Sequence, residues 1–430
     1  MFSFLLLAIL LAGASLSEAL HIPYAHRHSR ARRDANPDLV AASWYAGWHS
    51  DDVPLANVSW NKYTHMIYSF ALTSADGSMV TLADSDKELL PQFVQTAHAN
   101  NVKALLSIGG WTGGQYFSTN VADASNRTSF VSALTDIAKQ YSLDGIDFDW
   151  EYPNNVGIGC NTNSTADVDN LLQLLQELRA DPAGSQLFLT ATTPVLPWND
   201  ASGSPATNLS GFADTLDYLA IMNYDVYGSF SATAGPNSPL NDTCTSSANQ
   251  QGSAATAITA WNAAGIPMNK LVLGVPAYGH SFRVAQADAL PSEFNGALAL
   301  YPKFDQNVAN QPLGDSWDTT DPGPDVCGNP QGASGEWDFW GLIQGGWLAE
   351  NGTFGGADGI HYAWDECSQT PFLYNSTSEV YVAYDDATSY QMKGNFVKSN
   401  GLRGFAMWET GGDYKDILVN SIRSAAGFSS

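Results

Sequence analysis

The stretch "LDGIDFDWEYP", Leu143–Pro153, alternates acidic side chains with large apolar ones. Successive side chains of a β-strand point to opposite faces, so Asp147, Asp149 and Glu151 would share one face. The other face would carry the apolar residues Ile146, Phe148 and Trp150. We therefore predict a strand whose apolar face packs under helices and whose acids line the interior of the fold, with Glu151 outermost.

The three acids of this strand predict acid–base chemistry. Stacked carboxylates repel one another when ionised, so at least one should hold a proton with a raised pKa, as a general acid does. A calcium site would also use clustered acids, but calcium loops are turn-forming and punctuated by glycine, whereas this segment is β-branched and aromatic. A merely solvated acidic strand would not carry large apolar groups on its second face.

Short apolar runs of the kind expected for buried parallel strands recur along the chain. Eight such runs begin at Leu39, Thr64, Val102, Asp144, Leu187, Asp217, Leu271 and Gly404. Helices are predicted between several of them, for example over Ser129–Gln140, Ala166–Arg179 and Ala254–Ala264. Eight strand-then-helix units predict an α/β fold, a (β/α)8 TIM barrel with its active site at the carboxyl ends of the strands. A doubly wound open sheet is the alternative.

The seventh and eighth predicted strands are separated by far more chain than one helix needs. We expect an α+β insertion there, over about residues 283–374.

The N-terminal run "MFSFLLLAILLAGASLSEAL" is apolar and gives way to small residues, which is typical of a cleaved secretory signal. A basic segment ending in Arg32 and Arg33 follows, typical of a propeptide with a dibasic processing site. We predict a signal peptide over 1–19, a propeptide over 20–33 and a catalytic domain over 34–430. The protein would then be secreted and extracellular, with association with a cell wall left open. A buried N-terminal helix is the alternative, but the run has no polar face.

The formal net charge of the chain is −25 at pH 7. Such a charge disfavours nucleic acid and anionic membranes as partners and favours a substrate without negative charge. Solubility of a secreted protein explains the charge equally well. We expect a monomer that binds neither nucleic acid nor membrane.

Glycosylation and disulfide bonds are both expected of an exported chain. Seven Asn-x-Ser/Thr sequons lie at Asn57, Asn126, Asn163, Asn208, Asn241, Asn351 and Asn375. The four cysteines are too far apart in sequence for paired zinc ligands, and they allow three disulfide connectivities. We predict Cys160 with Cys244, both in loops at the catalytic face, and Cys327 with Cys367, both within the insertion.

Several motifs together resemble glycoside hydrolase family 18, the chitinase family, over essentially the whole predicted mature chain. The segment "DGIDFDWE" matches that family's DxxDxDxE pattern at every acid, and "SIGG", Ser107–Gly110, matches its SxGG element. Further matching segments are "MNYD" (Met222–Asp225), "GVPAYG" (Gly274–Gly279), "YDD" (Tyr384–Asp386) and "GFAMWE" (Gly404–Glu409).

The resemblance implies a retaining, substrate-assisted hydrolysis of β-1,4 linkages between N-acetylglucosamine units, without metal or cofactor. Glu151 would protonate the glycosidic oxygen while the acetamido oxygen of the substrate attacks the anomeric carbon to give an oxazolinium ion. Asp149 would orient the acetamido group, Tyr224 would hydrogen-bond its carbonyl, and Asp147 would exchange a proton with Asp149. The fourth acid of the pattern, Asp144, would be structural. Carboxylate separation does not predict stereochemistry in this family.

The resemblance also implies a cleft that binds chitin or chitooligosaccharides. Pyranose rings present apolar faces that aromatic side chains cover at little entropic cost. In the family the tryptophan of the eighth strand, here Trp408, floors the cleavage subsite. The expected substrate-binding residues are Trp44, Trp111, Met222, Asp225, Tyr227, Tyr278 and Trp408. Core packing is the alternative for each aromatic residue.

One position departs from many relatives, which have arginine where this chain has His280. The histidine would contact a bound sugar less strongly or in a pH-dependent way, and Arg283 could substitute for the arginine. Two other functions remain as alternatives, a chitin-binding lectin and an endo-β-N-acetylglucosaminidase acting on N-glycans. Lectin-like relatives usually lack the acid that Glu151 supplies. Endo or exo action stays open.

Overall fold

The computed structural model describes residues 39–76, 78–292, 296–319 and 323–428. The predicted signal peptide, 1–19, and propeptide, 20–33, lie outside the described residues. All eight predicted strands fall within this part of the chain.

A closed barrel of eight parallel strands forms the body of the protein, because the first strand of the chain pairs with both the second and the last. This confirms the predicted (β/α)8 class. The barrel strands are β1 (Val40–Ala46), β2 (His65–Thr73), β4 (Lys103–Gly109), β5 (Gly145–Asp149), β6 (Phe188–Thr193), β7 (Tyr218–Ile221), β8 (Leu271–Pro276) and β14 (Gly404–Trp408). A short β3 (Val80–Thr81) pairs antiparallel with β2.

Most helices follow the strands of the barrel, whereas the eighth and ninth belong to the insertion after β8. In chain order the helices are α1 (Asp84–Ala99), α2 (Gly110–Gly113), α3 (Phe117–Val121), α4 (Ala124–Tyr141), α5 (Asp167–Ala180), α6 (Ser210–Thr215), α7 (Ala254–Ala263), α8 (Gln286–Ala289), α9 (Phe339–Gln344), α10 (Ala387–Ser399) and α11 (Ile417–Ala426). Side-chain caps fix several beginnings; Asp123, for example, accepts from the backbone N–H of Asn126 at the start of α4.

Two apolar layers hold the barrel together, one inside it and one between strands and helices. The outer layer includes Ile146, Phe148 and Trp150, all almost fully buried, as the alternation in β5 predicted. The inner layer includes Ile67, Leu105 and Val272. The acids of β5 therefore face the barrel interior.

A second, antiparallel sheet lies between β8 and β14 and has the strand order β10-β9-β13-β12-β11. Its strands are β9 (Tyr278–Arg283), β10 (Glu336–Asp338), β11 (Ile360–Asp365), β12 (Thr370–Asn375) and β13 (Val380–Ala383). The sheet begins before residue 283 and ends after residue 374, because β9 follows β8 almost directly and pairs with β13. The subdomain thus shares its first strand with the rim of the barrel.

The predicted disulfide pairing is wrong. The structure pairs Cys160 with Cys327 and Cys244 with Cys367, so each bond joins a barrel loop to the insertion. The turn between β11 and β12 lies beside the loop after β7, and the segment before β10 reaches the loop after β5. Both bonds therefore fasten the insertion to the barrel.

The seven sequon asparagines are exposed or half-exposed in the structure. No helix in the described part of the chain is long and apolar enough to cross a membrane.

Candidate active site

The carboxylates of "DFDWE" form a column at the carboxyl end of β5. Asp147 lies deepest and is fully buried; it accepts hydrogen bonds from the Trp44 indole at 3.1 Å, the Ser107 hydroxyl at 2.9 Å and the Thr190 hydroxyl. Asp149 ends the strand and accepts from the Thr192 hydroxyl. Glu151 follows two residues later, at the mouth of the barrel, and is half-buried.

The column orders the acids by their affinity for protons. Burial raises the pKa of Asp147, while its three hydrogen-bond donors favour the ionised form. Burial and the charge of Asp147 raise the pKa of Asp149 to about 7. Burial, then the charge of Asp149, raises the pKa of Glu151 well above its usual range. Asp147 is thus the best placed to be ionised, and the raised pKa of Glu151 favours the protonated form that a general acid needs.

Two glycines of "SIGG" allow the chain to approach this column. Gly109 has φ 108°, and a Cβ there would lie 2.3 Å from the backbone oxygen of Asp149. Gly110 has φ 75°, and a Cβ there would meet the Phe70 ring at 2.9 Å. Both the positive φ values and the close contacts require glycine.

The loop after β5 holds the backbone of Glu151 in place. The side-chain amide of Asn161 donates to the backbone oxygen of Glu151 at 3.0 Å. The neighbouring Cys160 is the residue bonded to the insertion. The disulfide therefore anchors the loop that carries the acid.

Asp144 lies away from the column. The family resemblance implied a structural role for this acid. Its carboxylate accepts from the backbone N–H of Ala104 at 2.8 Å and lies 2.8 Å from the His98 ring. These contacts join the start of β5 to β4 and α1, at the amino end of the barrel strands.

A polar wall faces the column from the end of β7 and from β9. Asp225 accepts a hydrogen bond from the Tyr278 hydroxyl at 2.6 Å and lies 2.7 Å from Nε2 of His280. Tyr224 is half-buried, and its ring packs edge-on against Tyr278. Burial, then the charges of Asp149 and Asp225, raises the pKa of Tyr224, so its hydroxyl stays protonated and can donate.

His280 and Asp225 form an ion pair. Burial alone would lower the pKa of His280, but the hydrogen bond and charge of Asp225, with the charge of Glu336, raise it above 6.5. Burial alone would raise the pKa of Asp225, but His280 and Tyr278 lower it. Arg283 instead donates to the backbone oxygen of Ser378 and points into the insertion. His280, not Arg283, therefore occupies the wall.

We expect the Asp225→Asn substitution to lower the pKa of His280, because it removes the charge that retains the proton. Titration of the histidine ring by NMR would measure the change. Folding raises this pKa above 6.5, so protonated His280 stabilises the fold below that pH, and the contribution is lost as the pH rises through the raised value. Tyr278→Phe, which removes a neutral donor from the same carboxylate, is the matched control. An unchanged His280 pKa in Asp225→Asn would contradict the ion pair.

Aromatic side chains line the mouth of the barrel beside the acids. Trp408 ends β14, is half-buried, and stacks on Phe70 with ring centroids 5.6 Å apart. Trp48, which is 56% exposed, also stacks on Phe70, at 5.9 Å, and lies 6.3 Å from Trp408. Trp111, directly after β4, is 48% exposed. Trp48 and Phe70 were not predicted from the sequence.

Two predicted sugar contacts are corrected by the structure. Trp44 is 1% exposed; it lies inside the barrel, where it donates to Asp147 and packs against Trp408 at 5.9 Å. Tyr227 is 3% exposed and packs against Tyr301 in the core of the insertion. Neither ring can cover a sugar, because each is already covered by protein. Met222 is half-buried after β7, and Tyr278 is buried against Tyr224.

A group of acids borders the same space as Trp408 and was also not predicted as part of the site from the sequence. Glu409 accepts from the backbone N–H of Ala46 at 3.1 Å and lies 2.8 Å from Nδ1 of His49. Burial raises the pKa of Glu336 to about 7. Burial, then the charge of Glu336, raises the pKa of Asp338 well above its usual range. This part of the mouth is acidic but partly protonated at neutral pH.

Comparison with known proteins identifies the architecture. The model of the family "Glycosyl hydrolases family 18" matches residues 41–413. A "chitinase-like effector" of Moniliophthora roreri is 49% identical over 389 residues, which cover 90% of this chain and 93% of that protein. "Chitinase A1" of Niallia circulans is 30% identical over 331 residues, which cover 75% of this chain and 42% of that protein.

A crystal structure of a chitinase from Rhizomucor miehei is similar to the whole barrel. Its TM-score is 0.80 at 34% identity, and the match covers 90% of this chain and 100% of that one. The residues that match the family model include the column of acids and the two glycines beside it. The chain therefore belongs to glycosyl hydrolases family 18 and is a glycoside hydrolase.

Proposed function

We propose that the protein is a secreted chitinase that hydrolyses β-1,4 linkages between N-acetylglucosamine units by a retaining, substrate-assisted mechanism. The observation that carries the proposal is the column in which Glu151, whose pKa is raised, lies above Asp149 and Asp147 at the mouth of the barrel. The relatives named as chitinases support the same substrate.

The first step needs a proton donor and a nucleophile. Glu151 donates its proton to the glycosidic oxygen as the bond to the leaving sugar breaks. The acetamido oxygen of the sugar bound at Trp408 attacks its own anomeric carbon, so no protein side chain becomes glycosylated. The positive charge that develops on the cyclised sugar is stabilised by Asp149, and the Tyr224 hydroxyl donates to the acetamido group.

The second step returns the enzyme to its starting state. Glu151, now ionised, removes a proton from water as the water attacks the anomeric carbon and opens the oxazolinium ring. Two successive inversions leave the original configuration. A proton shared between Asp149 and Asp147 lets the column hold different charges in the two steps, because the pKa of Asp149 lies near neutrality.

The mouth of the barrel suits an uncharged polysaccharide. Trp48, Phe70, Trp111 and Trp408 offer apolar faces to sugar rings, and the strongly negative chain repels anionic polymers. Secretion, glycosylation of the sequons and a monomeric state with no nucleic-acid or membrane partner complete the proposal.

Chitin binding without hydrolysis is the second candidate, because a relative that covers most of the chain is named a chitinase-like effector. An endo-β-N-acetylglucosaminidase acting on N-glycans would use the same acids. The aromatic mouth and the insertion favour chitin over an N-glycan core.

Product analysis on defined substrates separates these functions. We expect the protein to convert chitohexaose into shorter N-acetylglucosamine oligosaccharides and to leave a high-mannose glycoprotein intact. Chromatography with mass spectrometry would measure both reactions. Binding of chitohexaose without products would support the second candidate, and release of glycans from the glycoprotein would support the endoglycosidase.

A further inference from the structure

A contact between the insertion and the loop after β1 bridges the mouth of the barrel. Trp317 of the insertion stacks on the imidazole of His49 with ring centroids 3.7 Å apart. Its indole N–H also donates to the Asp52 carboxylate at 3.1 Å. His49 and Asp52 both follow β1, so the contact joins two walls that come from different parts of the chain.

Trp317 separates two cavities. The inner cavity, about 250 Å³, lies beside the catalytic mouth and is bounded by Trp48, Trp408, Glu336 and Trp317. The outer cavity, about 690 Å³, lies beyond the same indole and is bounded by Ser59, Tyr63, Trp340 and Trp317. One side chain thus borders both spaces, and the inner one also reaches Trp408.

The indole is held in place from several sides. The carboxylate of Asp315 accepts the backbone N–H of Trp317 at 2.9 Å and that of Asp338 at 2.6 Å. Asp318 accepts from the backbone N–H of Gly335 at 2.8 Å, and Trp340 packs edge-on against Trp317 at 4.9 Å. His49 is itself fixed by Glu409. These contacts fix the Trp317 indole as a partition between the two cavities.

The inner cavity is small for a sugar polymer. Sites for drug-sized ligands usually measure about 300 to 1,000 Å³, so the space between Trp408 and Trp317 has room for a short saccharide unit. A polymer that is cut in its middle must leave the site in both directions. The Trp317 indole stands at one boundary of the space beside Trp408.

We propose that Trp317 closes one end of the substrate groove and restricts cleavage to chain ends, where a short unit is removed at each encounter. The proposal rests on the proposed chitinase function. Trp317 is a specificity-determining residue in this account, because it decides how far the chain extends past the sugar at Trp408. Removing the indole would join the two cavities into one open groove.

The test compares bond cleavage with the loss of viscosity of glycol chitin, a soluble, uncharged chitin derivative. Cutting near chain ends releases reducing ends with little loss of viscosity, whereas cutting in the middle lowers viscosity steeply. We expect the wild-type protein to show a small viscosity loss for each reducing end released. The Trp317→Ala variant should show a several-fold larger loss for each bond cut.

Two further variants keep the test informative. Trp317→Phe retains a ring against His49 and should keep the wild-type ratio. Asp52→Ala removes the acceptor of the indole N–H and should move the ratio in the direction of Trp317→Ala, by a smaller amount. Asp52→Ala also tests the proposal if Trp317→Ala does not fold.

The outcomes distinguish this proposal from the function on which it rests. A wild-type protein that cleaves glycol chitin with a steep viscosity loss, unaltered by Trp317→Ala, would overturn the partition and leave the chitinase function standing. A folded wild-type protein that releases no reducing ends from glycol chitin or chitohexaose would overturn both.

Discussion

The Glu151→Gln variant is expected to lose hydrolysis of chitohexaose while it still binds the oligosaccharide. The amide has nearly the shape of the acid but no proton to give, and general acids contribute about 10²- to 10⁴-fold to the rate. Burial and the charge of Asp149 raise the pKa of Glu151, which favours the protonated acid in the wild-type protein. Initial rates measure kcat, and calorimetric titration measures binding.

Asp144→Asn is the matched control, because it makes the same chemical change in the same motif at a site outside the column. It should keep most of the wild-type kcat. Near wild-type activity of Glu151→Gln would contradict the assignment of the acid. Loss of binding together with a lowered melting temperature would instead indicate misfolding of that variant.

The barrel could be predicted because its strands are buried on both faces. Such strands form continuous apolar runs, and each of the eight predicted runs became a strand. The orientation of the acids followed from the alternation in β5, because Phe148 and Trp150 had to pack under helices. These features are local in sequence.

The aromatic contacts were harder to predict, because they depend on where a strand ends. β1 continues to Ala46, so Trp44 stays inside the barrel, whereas Trp48 lies just beyond the strand and is exposed. Tyr227 follows β7 closely, but its loop turns into the core of the insertion. An aromatic residue near a strand end is thus a weak predictor of a sugar contact.

The presence of the insertion and its α+β class were predicted, but its contacts with the barrel were not. Neither the pairing of Cys160 with Cys327 nor the position of Trp317 beside His49 follows from any periodic pattern. Residues 311–319 form neither a helix nor a strand, and their path is fixed by hydrogen bonds to Asp315 and Asp318. Such positions are set by tertiary structure alone.

A chitooligosaccharide without N-acetyl groups is expected not to be hydrolysed, however well it binds. In the proposed mechanism the acetamido oxygen of the substrate attacks the anomeric carbon. Asp149, the nearest alternative, is 4% exposed and already accepts from Thr192, and Glu151 is occupied as the acid. Chitotetraose and its fully deacetylated form, compared by kcat/KM, measure the effect.

The deacetylated tetramer is cationic, so cellotetraose, which is neutral and also lacks the acetamido group, is needed as a second comparison. Binding of each sugar is measured in parallel so that weak binding is not mistaken for slow chemistry. An analogue of the oxazoline should inhibit competitively, since the site would be complementary to the cyclised sugar.

The most direct test of the central claim is the rate of cleavage of these three tetramers, with mass spectrometry of the protein during turnover. We predict that only chitotetraose is cleaved and that no glycosyl group becomes attached to the protein. Cleavage of the deacetylated tetramer at a comparable rate, or a glycosyl ester on Asp149 or Glu151, would contradict the claim.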